Sequence, residues 1–75
     1  MPPSDPPRDP AAECMRLWAA HQADVHGYLM ACVRRWADAD DLLQETAVAV
    51  WQNFGSFRPG TDFRRWALAI AHHRV

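Results

Sequence analysis

The segment Asp38 to Phe54, DADDLLQETAVAVWQNF, constrains this chain more than any other. Four acids (Asp38, Asp40, Asp41 and Glu45) precede a run of Ala, Val and Trp. Acids at the start of a helix meet the positive end of its dipole, and Asp38 with Asp41 three residues on resembles a capping box with Asp in place of Glu. The segment is therefore read as a helix starting at Asp38. Ala39, Leu43, Ala47, Val50 and Phe54 recur at four- and three-residue steps and make its core stripe. Asp41, Gln44, Glu45 and Val48 follow the same spacing on another face, polar at its start. The simplest meaning of such a face is solvation.

At 75 residues the chain is one domain at most, near the size where a single core leaves little margin. Its formal charge of −1 gives no overall basic field, and all eight of its basic residues are Arg. Arg suits bidentate phosphate and carboxylate contacts, but an Arg- and Ala-rich chain equally reflects a GC-rich genome. Cys14 and Cys32 lie far apart with no CxxC, so neither a zinc knuckle nor a disulfide framework is indicated. Both occupy apolar helical positions and are read as small buried thiols. The chain has no apolar leader segment, and its longest apolar runs, such as Trp66 to Ala71, are too short to span a bilayer. A cytoplasmic protein without membrane association is the expectation.

Residues 1–10 hold five of the six prolines and read as a disordered Pro-rich tail. Residues 11–75 then form one helical domain. From Ala11 to His21, Cys14, Leu17, Trp18 and His21 share a helical face. A second segment, Ala23 to Trp36, aligns Val25, Leu29, Cys32, Val33 and Trp36, with Gly27 weakening its first turns by up to about 1 kcal/mol. Whether His21 and Gln22 break or only bend the chain stays open at this level. Gly55 to Thr61, GSFRPGT, is a loop, with Gly55 as a left-handed helix stop and Phe57 tucked inward. Thr61 or Asp62 caps a last helix whose buried stripe is Phe63, Trp66, Ala67, Ile70 and Ala71, with Arg65 and His72 on its polar face. The fold class is all-α, a small bundle of three to four helices.

No nucleophile, base or metal cluster points to an enzyme. The four histidines show no metal-binding spacing: His21 and His26 lie on different faces of a helix, and His72 and His73 close one. Asp40 and Asp41 are adjacent and diverge, which argues against an acid–base pair. No cofactor and no metal is expected. Charge is unevenly placed: from Phe57 onward Arg58, Arg64, Arg65 and Arg74 face the single acid Asp62. Phe57, Phe63 and Trp66 lie among those arginines, and such mixtures can hold phosphates and stack unpaired bases. Phe63 and Trp66 fit the core stripe as well.

Taken together, DADDLLQETAVAVWQNF, the loop FRPGT and DFRRWALAIA resemble region 2 of bacterial sigma-70-type RNA polymerase sigma factors, closest in style to the extracytoplasmic-function (ECF) class. Members commonly read A-E-D-L-V-Q-E-x-F, then a helix ending in W, then F-R-x-W-L-x-x-I-A. The resemblance covers about residues 13 to 75. It implies a role in transcription initiation without catalysis. The acidic helix would dock on the β′ clamp of the polymerase core, with Asp40, Asp41, Gln44, Glu45 and Val48 as contacts. The last helix would contact −10 promoter DNA through Arg64, Arg65, His72, His73 and Arg74. An anti-sigma factor becomes a further candidate partner. Members often carry Asn after the I-A pair, where this chain has His72 and His73. They continue with a loop that captures a flipped base, a further helix, and a second domain that reads the −35 element. On that pattern the domain is expected to be incomplete at its C-terminal end, and the rival function is a sigma-like module or decoy that only binds polymerase.

Overall fold

A computed structural model of the chain describes residues 9–75; apart from Asp9 and Pro10, the expected tail lies outside them. Three α-helices form the fold: α1 over Pro10–Cys32, α2 over Trp36–Asn53 and α3 over Phe63–Arg74, with a single 3-10 turn at Phe54–Ser56 after α2. The all-α reading holds, with three helices among the described residues.

Helix α1 starts earlier than the proline-rich composition suggested. The Asp9 carboxylate accepts from the Ala11 amide at 3.0 Å, and Pro10 occupies the first helical position, where a missing N–H costs nothing. The two segments expected across His21 and Gln22 are one continuous helix. Neither residue breaks helical backbone, and Val25 and Leu29, both fully buried, flank the weak Gly27. The helix ends at Cys32 because Val33 is extended (φ −123°, ψ 158°) and Arg35 follows it (φ −110°, ψ 134°). Trp36 therefore opens α2 instead of closing α1, and its side chain is exposed rather than aligned with Val25 and Leu29.

Helix α2 starts at Trp36 with Arg35 at the cap position and no side-chain cap. Asp38 is not the cap expected from the sequence; it lies in the first turn, where it serves the helix dipole alone. The core stripe is also shifted. Ala39 and Val50 are buried, but Leu43, Ala47 and Phe54 are only half-buried, and Thr46 and Ala49 join the core instead. The reason is that α2 has two neighbours: Ala47 and Val50 line its contact with α1, and Ala49 and Asn53 its contact with α3. Thr46 tolerates full burial because its hydroxyl donates to the Leu42 carbonyl at 2.6 Å.

Between α2 and α3 the left-handed residue is Gly60 (φ +86°), not Gly55. Arg58-Pro59-Gly60-Thr61 is a turn with Pro second and Gly third, closed by the Thr61 amide on the Arg58 carbonyl at 3.2 Å. Phe57 is buried, as expected, with ring centroids 5.7 Å from Phe54, 5.4 Å from Phe63 and 5.2 Å from Trp66. This cluster seats α3 against the end of α2. Asp62 caps α3 by accepting from the Arg65 amide at 3.1 Å. Phe63, Ala67 and Ala71 face the core, and alanines at this seam let the helices approach closely. Of the two cysteines, Cys14 is buried and Cys32 exposed, which corrects the expectation of two buried thiols.

Candidate functional site

The packing of α2 between α1 and α3 fixes which of its residues reach solvent. Asp41, Gln44, Glu45 and Val48 are all exposed and together line one shallow depression on the outward side. Among the described residues, none of the side chains of Asp41, Gln44 and Glu45 has a hydrogen-bond or ion-pair partner. Asp40 stands apart from this group. Its carboxylate lies 2.9 Å from His26 Nε2 on α1, so it belongs to the α1 edge of the helix. The structure thus brings four of the five candidate docking residues together and turns the fifth aside.

Sequence reading missed the apolar continuation of this face. Val48 is 55% exposed, Trp51 one turn further is 54% exposed, and Met15 of α1 is 71% exposed. Trp51 and Met15 border an apolar groove between α1 and α2 with Trp18, Ala47 and Val50 behind them. The signal was available: Trp51 follows Val48 by three residues, the spacing of one helix face.

On α3 the five candidate nucleic-acid contacts do not converge. Arg64 Nε donates to Asp24 Oδ2 of α1 at 3.0 Å, with both side chains about half exposed (54% and 52%). His72 Nδ1 lies 2.8 Å from the Tyr28 hydroxyl, also on α1. Hydrogen bonding with the Cys32 side chain that favours the protonated phenol, with desolvation and charge repulsion adding to it, raises the Tyr28 hydroxyl above its ordinary pKa. Tyr28 thus stays a neutral hydroxyl partner for His72. Arg65 is exposed and, among the described residues, has no ion-pair partner. His73 and Arg74 lie at the helix end, where cations complement the dipole, and border a depression with Asn53 and Ile70.

The aromatics interleaved with these arginines belong to the core. Phe63 is buried against His21 (5.6 Å between ring centroids), and Trp66 is half-buried in the Phe54–Phe57 cluster. Base stacking on Phe63 is therefore blocked by its own packing. His21 and His26 serve different partners, Phe63 and Asp40. Among the described residues, no group of three or more His, Cys, Asp or Glu is placed to hold a metal ion, and no helix is long and apolar enough to cross a membrane.

Comparison with known proteins bears on the two faces together. The family model for sigma-70 region 2 matches residues 17–75. The chain is 42% identical over 65 residues to the RNA polymerase sigma factor CarQ of Myxococcus xanthus, an alignment covering 85% of this chain and 37% of the relative. No solved structure matches. The match takes in all of α2 and α3 and most of α1, and the chain belongs to the sigma-70 region 2 family.

Proposed function

We propose that this chain is a non-catalytic module of transcription initiation, of ECF type, that binds the RNA polymerase core at its β′ clamp through the outward face of α2. The observation that carries the reading is the set Asp41, Gln44 and Glu45: exposed, adjacent, and without side-chain partners among the described residues. Acidic groups left unpaired on a rigid helix have no contact within the fold to give up on meeting a basic partner, and their field speeds and orients docking. Val48 adds apolar contact at the C-terminal end of that face. The second half of the proposal is contact with −10 promoter DNA through α3, where Arg65 and Arg74 have no ion-pair partner among the described residues and Arg64, His72 and His73 accompany them.

Recovery of the chain on immobilised core polymerase tests the docking. The Gln44→Ala/Glu45→Ala double variant should be recovered at least about tenfold less than the native chain, the scale of losing a charged contact and its hydrogen-bonding neighbour in an interface. Equal recovery of the two would sink the docking assignment. A second reading, a module that binds polymerase and does not engage DNA, is favoured by the attachment of Arg64 and His72 to α1. Titration with single-stranded DNA over a salt series separates the two, since phosphate contacts give affinity that falls steadily with salt.

A further inference from the structure

We propose that Asp24 on α1 is a built-in competitor for the DNA phosphate at Arg64, and so sets the affinity of the α3 face below what its arginines could reach. This rests on the reading of α3 as a nucleic-acid-contacting helix. Arg64 Nε and Asp24 Oδ2 are 3.0 Å apart, and the side chains are 54% and 52% exposed. A carboxylate this close to the guanidinium cancels much of the field a phosphate would feel, and it repels the incoming phosphate directly. The pair is too exposed to matter greatly to the fold, because ion pairs of this kind contribute only about 0–1 kcal/mol. It can therefore be broken by a ligand without unfolding the bundle. The next turn of α1 shows the contrast. There Tyr28 holds His72 at 2.8 Å with a neutral hydroxyl, which positions the ring without opposing an anion. Of the α3 candidates that α1 grips, only Arg64 is held by a group of the same sign as the proposed ligand.

The test uses the 75-residue chain and a labelled single-stranded oligothymidylate of about 15 nucleotides, within the range of single-strand site sizes. Asp24→Asn keeps the carbonyl oxygen that can accept from Nε and removes the charge. It should bind about two- to fivefold tighter at low salt, the fold-change of losing one exposed counter-charge. The slope of log affinity against log salt should steepen by about 0.7, the value for one added phosphate contact on a single strand. Arg64→Ala in the Asp24→Asn background should abolish both changes. Circular dichroism checks that helicity is unchanged in each variant. If native chain and Asp24→Asn bind alike, or Asp24→Asn binds more weakly, Asp24 only positions Arg64 and the competitor role is overturned. If no variant binds at any salt, the α3 reading falls and this inference with it. Binding by the native chain with no gain in Asp24→Asn overturns the competitor alone.

Discussion

The outward faces of α2 and α3 hold their candidate groups in different states. On α2, Asp41, Gln44 and Glu45 have no side-chain partner among the described residues and are supported from below by a helix packed on both flanks. On α3, Arg64 and His72 are already joined to α1, whereas Arg65, His73 and Arg74 are exposed without an ion-pair partner among the described residues. The first is a preformed surface that a partner can meet as it is. The second must, at Arg64 and His72, exchange contacts within the fold for contacts with a ligand. A face of the first kind suits docking whose strength follows complementary charge. A face of the second kind would bind more weakly, to a degree set by the α1 groups Asp24 and Tyr28 that hold it.

The largest test of the comparison is the seam that keeps the two helices in register. Phe57 is buried between Phe54, Phe63 and Trp66 and belongs to neither face. Phe57→Ala should lower the unfolding free energy by about 3–5 kcal/mol, the range for removing a buried phenyl ring. In a domain this small that is a large part of the whole. Denaturant titration followed by circular dichroism measures it. A loss below about 1 kcal/mol, typical of substitutions away from the core, would mean that α3 is seated by its alanine seam instead.

The next effect in size concerns the helix starts. Asp62→Ala removes the cap on the Arg65 amide and should cost about 1 kcal/mol. Asp38→Ala removes only a charge from the first turn of α2 and should cost about 0.3–1 kcal/mol at low salt, falling as salt rises. Equal, salt-independent losses would place a cap at Asp38 after all. The pair of variants also marks where the sequence could be read and where it could not. Asp62 follows a Pro-Gly turn, so its capping role is visible locally. Asp38 has the same appearance, yet the chain turns three residues earlier through Val33, Arg34 and Arg35, which carry no Gly or Pro to announce it. Thr46 is absent from the expected core stripe for a related reason. A hydroxyl counts as polar in a periodicity argument until it is seen bonded to the Leu42 carbonyl. The outward face of α2 was legible because helical spacing alone assembles it. The links from α3 to Asp24 and Tyr28 span 40 and 44 residues of chain, and no local pattern encodes contacts of that range.

The smallest expected effect tests whether α1 tunes α3 and leaves α2 alone. Cys32 is exposed one turn from Tyr28, whereas Cys14 is buried and its thiol is pushed above the ordinary value of 9.0 by desolvation. The thiolate is the reactive form, so a small alkylating reagent near neutral pH should modify Cys32 and spare Cys14 in the folded chain. The pH dependence of stability follows from the same shift. The native state holds the Cys14 proton more tightly than the unfolded chain does, so its contribution is full below the unfolded value and is lost as pH rises through the folded one. The raised Tyr28 pKa acts in the same direction at higher pH. Modification at Cys32 should shift stability by no more than about 0.5 kcal/mol, as for other surface changes. Recovery on core polymerase should not change, because among the described residues the side chains of Asp41, Gln44 and Glu45 make no hydrogen bond or ion pair to that end of α1. Any effect should appear in single-strand binding, through the Tyr28 contact that orients His72. Mass spectrometry of the modified chain, with both binding measurements repeated on it, decides the matter. A loss of polymerase recovery after modification of Cys32 alone would break the separation of the two faces.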